Sequence, residues 1–147
     1  MTVRDVRCQA AIVRGHDLLL IRHREHESGH SYWLLPGGGR EHGETEAECV
    51  RREVREETHL EVEVEGLILR EESDPGRVYK RRHTYLCRYV KGEPSPGIEP
   101  ELEAAAQYAI VETRWFDMRD VASWDPDVLD DEFTGPLVRR IRAELGY

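Results

Sequence analysis

Apolar residues recur at two different spacings along this chain, and each change of spacing marks an element. Cys8 to Arg14 (CQAAIVR) and Asp17 to His23 (DLLLIRH) are short apolar runs split by Gly15-His16, which predicts a β-hairpin. His26 to His30 is polar and reads as a loop, after which Tyr32-Trp33-Leu34-Leu35 leads into Pro36 and a run of glycines. Glu61 to Glu65 alternates as EVEVE, predicting a half-buried strand that runs on through Leu67-Ile68-Leu69. Asp74-Pro75-Gly76-Arg77 signals a turn, Val78 to Val90 a further strand, Glu93 to Pro100 (EPSPGIEP) a loop, and Tyr108 to Phe116 a strand. Helical spacing is found in two places. Leu137, Ile141 and Leu145 stand four apart within Pro136 to Gly146, with Thr134 as the expected cap and Gly146 as the stop. Thr45 is followed three residues on by Glu48, a capping box that starts a helix at Glu46 and puts Ala47, Val50 and Val54 on one stripe. Strands with two well-separated helices predict an α/β fold, a mixed β-sheet covered by helices. A length of 147 residues predicts a single domain over 1–147.

Beside the apolar stripe of the first helix fall Glu53, Glu56 and Glu57. Like charges at this spacing cost roughly 0.2–0.5 kcal/mol per pair on an exposed helix. A solvated face laced by Glu48–Arg52 and Arg52–Glu56 pairs is one reading. The other is a set of oxygen ligands for magnesium or manganese, which bridge carboxylates to substrate phosphates. The net charge of −9 bears on this choice. So acidic a chain lacks the basic face of a duplex-binding protein, and it needs cations to handle an anionic substrate. Lys80-Arg81-Arg82 and Arg139-Arg140 read as solvated loop or face. No apolar run approaches the roughly 18–20 residues that span a bilayer, no basic amphipathic helix suggests a membrane surface, and the start MTVRDVRCQA lacks a leader's pattern. Cys8, Cys49 and Cys87 are odd in number and widely spaced, as expected of buried thiols in a reducing cytoplasm.

Gly38, five residues, Glu44, seven residues, then Arg52-Glu53-Val54-Arg55-Glu56-Glu57 resembles the signature of the Nudix hydrolases. The signature closes with a variable residue, a glycine and an aliphatic; here those places hold Thr58, His59 and Leu60, so a histidine replaces the glycine. The resemblance implies an α/β/α sandwich whose signature forms a loop–helix–loop. It also implies a magnesium- or manganese-dependent pyrophosphohydrolase cleaving a nucleoside diphosphate linked to another group. By position Glu53, Glu56 and Glu57 are similar to the metal ligands, joined by a backbone carbonyl at Gly37 or Gly38, with Gly38 preferred. Glu53 and Glu57 are the expected catalytic carboxylates and Glu53 the expected base. Some members recruit a later glutamate, for which Glu99, Glu101, Glu103 and Glu112 are the candidates. Glu44 and Arg52 match the ion-paired brace of the acidic helix. At His59 the helix is expected to end in a left-handed cap, which histidine tolerates better than most side chains.

Substrate choice is less marked. Trp33 reads as a stacking platform for a base or as a core aromatic, and Arg22 and Arg24 as phosphate contacts or strand-end charges. Pro75, fifteen residues beyond Leu60, resembles the marker of ADP-ribose-cleaving members, while Tyr79 and Tyr85 lie where dinucleoside polyphosphate hydrolases carry a tyrosine. A nucleoside triphosphate is the third option. The expected partner is a small nucleotide diphosphate derivative, with a homodimer left open as the assembly. The competing class is a Nudix-fold binding or sensor module without hydrolysis, for which loss of the acidic ligands would be the mark.

Overall fold

Gly15 adopts φ +62°, a conformation open to glycine, and there β1 (Thr2–Arg14) reverses into β2 (Asp17–Glu25) with Arg14 opposite Asp17. The computed structural model describes residues 2–73, 78–98 and 102–147. The chain continues through β3 (Ser31–Leu34), β4 (Gly37–Glu41), α1 (Glu46–Thr58), β5 (Glu61–Glu72) and β6 (Arg81–Lys91). It ends with α2 (Leu102–Gln107), β7 (Tyr108–Asp117), a 3₁₀ turn (Val121–Ser123), α3 (Pro126–Leu129) and α4 (Thr134–Glu144). The sheet runs β3-β2-β1-β6-β5, with β4 paired to β1 and β7 to β2. It is mixed, since β1 and β6 are parallel while the other pairs are antiparallel.

Strand alternation divides the interior into two layers. Cys8, Ala10 and Ile12 of β1 and Leu19 of β2 pack against Cys49, Val50 and Val54 of α1. Ala11, Leu18 and Leu20 point the other way, onto Trp33, Phe116, Trp124 and the α4 residues Leu137, Val138 and Ile141. Helices on both faces make the expected α/β/α sandwich. Complete burial of an aliphatic side chain of this size is worth about 1.5–3 kcal/mol, so both layers hold the sheet strongly.

The feature that positions the site is a fork. β1 meets β2 at the hairpin end, Val13↔Leu18 and Arg14↔Asp17, but toward its start it pairs with β4 through Gln9↔Gly37 and Cys8↔Gly38. The halves diverge, and Pro36 enters between them with its carbonyl accepting from the Ala10 N–H at 2.8 Å.

Several expectations are corrected. β4 is a strand built on Gly37-Gly38-Gly39, which carries no apolar side chain to announce it. α2 and α3 add to the two predicted helices. β6 begins at Arg81 rather than Val78, and the Asp74–Arg77 turn lies outside the described residues. Thr134 is not the cap of α4. Asp131 accepts the N–H groups of Phe133 and Thr134 at 2.9 and 2.6 Å, while the Thr134 hydroxyl donates to the Trp33 carbonyl at 2.5 Å.

Candidate active site

Helix α1 starts as predicted, with the Thr45 hydroxyl accepting from the Glu48 N–H and the Glu48 carboxylate accepting from the Thr45 N–H. Glu53, Glu56 and Glu57 are not a solvated face. Glu53 is 7% exposed and Glu57 is 1% exposed, while Glu56 is half-buried. Each buried carboxylate lies against a glycine of β4. Glu57 Oε1 accepts the Gly37 N–H at 2.8 Å, and a Cβ on Gly38 would stand 2.5 Å from Glu53 Oε1. At Gly37 a Cβ would also meet the Cys8 carbonyl at 2.5 Å, strand backbone that cannot yield, so glycine is required there, whereas at Gly38 a Cβ would displace the Glu53 carboxylate.

Arg52 gathers the group. Its Nε and Nη2 donate to Glu44 at 2.7 and 2.9 Å, while Nη1 donates to Glu53 Oε1 at 3.0 Å and Glu56 Oε2 at 3.1 Å. Glu44 is held below the usual carboxylate range, chiefly by its hydrogen bond from Arg52, and Arg52 is raised in turn, chiefly by that same bond. These bonds bring together Glu44 and Arg52, the pair expected as the brace. At the other end His59 has φ 65°, and its N–H donates to the Arg55 carbonyl. The incoming loop completes that end: the Ser95 and Gly97 N–H groups donate to the carbonyls of Thr58 and Glu57 at 3.1 and 2.9 Å. A Cβ on Gly97 would overlap the Glu56 carbonyl.

At the fork, His23 from β2 is buried, stacked on Tyr108 at 4.3 Å, with Nε2 4.0 Å from Glu57 Oε2. Burial first, and the Arg7 cation second, push its pKa down to about 3, so the imidazole is neutral. Nε2 has no hydrogen-bond partner among the described residues. A buried polar atom left this way beside a buried carboxylate marks a place where a ligand or water belongs. The donors around it are hard oxygens, which fit a small divalent cation. As the side chains stand, no three acidic, histidine or cysteine groups among the described residues converge tightly enough to hold an ion, and Arg52 Nη1 donates to both Glu53 and Glu56. A cavity of about 760 Å³ is lined by Arg7 of β1 and by Tyr32, Tyr79, Arg82 and Phe133, among others.

The chain matches the NUDIX domain over residues 4–141 and belongs to that family. Among its relatives, the human protein named 8-oxo-dGDP phosphatase NUDT18 is 38% identical over 88 residues, 60% of this chain and 26% of its own length. A Mycobacterium tuberculosis protein named as the mutator MutT4 is 35% identical over 99 residues, 65% of this chain and 36% of its own. The chain therefore spans between a quarter and somewhat over a third of these relatives. Among solved structures, a MutT NUDIX hydrolase from Burkholderia pseudomallei superimposes with TM-score 0.66 at 26% identity, covering 95% of this chain and 98% of that one.

The outer candidates separate from this cluster. Arg22 points to the α3 side, where Glu112 lies 3.5 Å and Asp127 3.8 Å from it. Trp33 is fully buried, packed edge-on against Phe116, and offers no face to a base. Glu112 pairs with Arg22 and Arg114, away from α1. Glu103 stands in α2, while Glu99, Glu101 and Pro75 lie outside the described residues. Tyr85 is tied by its hydroxyl to Glu46 at 2.7 Å, whereas Tyr79 lines the cavity. Arg7, His23 and Gly97 were not singled out from sequence. The signal for His23 was a polar residue closing the apolar DLLLIRH run; Arg7 and Gly97 gave none.

Proposed function

We propose that this chain is a magnesium- or manganese-dependent pyrophosphohydrolase acting on a nucleoside diphosphate linked to another group. The observation that carries this is the pair of buried carboxylates, Glu53 and Glu57, laid against Gly38 and Gly37 beside the unpartnered Nε2 of His23. Glu53, Glu56 and Glu57, with the Gly37 or Gly38 carbonyl, would hold the ion. Bound there, a divalent cation polarises phosphoryl oxygens and lowers the pKa of a coordinated water. Glu53 takes the proton of the attacking water, with Arg52 and Glu44 orienting it, and Glu57, held by the Gly37 N–H, completes the carboxylate set. The leaving group is a nucleoside monophosphate or an X-phosphate. The three cysteines are free and buried, which fits a reducing cytoplasm. Among the described residues no helix is long and apolar enough to cross a membrane.

The test follows the nucleotide products formed from ADP-ribose, a dinucleoside tetraphosphate, nucleoside triphosphates and 8-oxo-dGDP by chromatography, with magnesium and with chelator. The last substrate enters because a relative bears its name. Turnover that survives chelation, or none with any of them, would sink the proposal.

A further inference from the structure

One charged side chain in the cavity wall has no task in the chemistry above. Arg7 lines the cavity together with Tyr32, Tyr79 and Phe133. It also lies within electrostatic reach of Glu57 and Glu53. Its setting is built. Nε donates to the Gln9 side-chain oxygen at 3.3 Å and Nη2 to the Leu35 carbonyl at 2.9 Å, while Gln9 is itself fixed by donating to the Thr84 hydroxyl at 2.9 Å. Both acceptors are uncharged. Among the described residues these bonds occupy two of the five guanidinium N–H groups and leave the net charge in place. Burial opposes that charge, but Glu57, Tyr79, Tyr108 and Glu53 outweigh it and raise the pKa.

The other charges sort themselves around this cation. Arg82, also in the cavity wall, has Glu71 at 3.9 Å and lies over the Phe133 ring at 4.2 Å. The remaining wall carries Glu25, Asp130, Asp131 and Glu132, which disfavour a phosphate. Of the two guanidinium groups in the wall, Arg82 has a carboxylate at 3.9 Å and Arg7 has none that near among the described residues, so a phosphate is better placed at Arg7. A planar guanidinium with N–H groups to spare is well matched to phosphate oxygens. Across the fork, the unpartnered Nε2 of His23 faces Glu57 over 4.0 Å.

Resting on the pyrophosphohydrolase reading, we infer that Arg7 receives the phosphate adjoining the nucleoside, with the nucleoside in the cavity and the scissile bond toward Glu53 and Glu57. The competing role is a brace for the Leu35-Pro36 turn. The two differ in what they do to ligands that lack phosphate.

The test titrates AMP, ADP, GMP, GDP, adenosine and guanosine, in calcium, into the parent, Arg7→Gln and Arg7→Lys, following binding by calorimetry. Arg7→Gln should weaken the nucleotides on the order of 10–100-fold and leave the nucleosides within about twofold, as loss of one charge-assisted contact requires. Arg7→Lys, which keeps the charge but not the fork, should recover part of the loss. If Arg7→Gln does not fold, Arg7→Lys should still show a nucleotide-selective loss of about tenfold. Nucleotide affinities equal to the parent's, or nucleosides weakening in step with nucleotides, would overturn the assignment, as would a parent that binds none of these nucleotides. A parent that binds them but hydrolyses no pyrophosphate substrate would instead remove the enzymatic reading and leave Arg7 standing.

Discussion

Glu57 is a carboxylate with almost no water around it, 1% exposed, and such a group costs several kcal/mol unless something compensates. The Gly37 N–H and the nearby Arg7 charge supply part of that compensation. Glu57→Gln keeps an oxygen for Gly37 and removes the negative charge. It should lower kcat/KM with magnesium by at least about 10²-fold, the scale of losing a charge-stabilising group, while the melting temperature holds or rises. Steady-state kinetics and calorimetry on one preparation check both halves, and a parental rate would remove Glu57 from the metal set. Gly38→Ala acts on Glu53 indirectly, since its Cβ would meet Oε1 at 2.5 Å. Activity there should fall out of proportion to stability; an unchanged kcat/KM would mean that Glu53 has room to move. The spacing of the three glutamates was legible in the sequence, but their burial was not, because it depends on a glycine strand that carries no apolar signal. Trp33 and Arg22 could be misread for a related reason. Their residue types suit ligand contact, yet strand alternation turns both toward α3 and α4.

Helix α1 is fixed at both ends and along its length, and these ties differ in what sequence reveals of them. The capping box is local, four residues long, and could be read directly. The C-terminal end depends on Ser95 and Gly97, far away in the chain, and only His59 hinted at the left-handed exit. Between them Arg52 connects Glu44, Glu53 and Glu56. Arg52→Ala leaves those carboxylates without their shared cation, which should cost about 2–4 kcal/mol, on the order of 5–10 °C, and reduce activity as well. A melting temperature equal to the parent's would argue against a brace. The same bonds predict a pH dependence. Arg52 holds the Glu44 carboxyl below its ordinary 4.5, so the pair's contribution is present above that pH and fades as the pH falls below it. Glu44→Gln should therefore lose less melting temperature than the parent between about pH 5 and about pH 3. Parallel acid limbs would show that the pairing adds nothing to the folded state.

Across the whole molecule, hydrophobic periodicity gave the hairpin, the two-faced sheet and the long helices, but not the divergence of β1 from β2. Pairing register decides that, and register is a property of two distant segments. The fork lets groups from opposite faces of the sheet, Arg7 and Glu57, act on one another. It also leaves a chain of net charge −9 with two buried acids, Glu53 and Glu57, close together on α1. Without a cation, the folded state bears that repulsion, relieved in part by Arg52 at Glu53 and Glu56 and by the Arg7 charge near Glu57. A ligand that binds the folded form alone stabilises it by mass action, about 2.7 kcal/mol at a hundred times its dissociation constant, or roughly 5–10 °C for a chain of this length. Magnesium titrated in the presence of constant 0.15 M salt (a background that screens surface charge equally in all variants) should raise the parent's melting temperature with the logarithm of its concentration. Glu53→Gln and Glu57→Gln should each flatten that rise, whereas Glu112→Gln, on the far face, should leave it as in the parent. If all four proteins gain equally, magnesium is acting as a general counter-ion and the acidic helix holds no specific site. A gain confined to the parent and Glu112→Gln ties the ion to α1 by a measurement that needs no substrate.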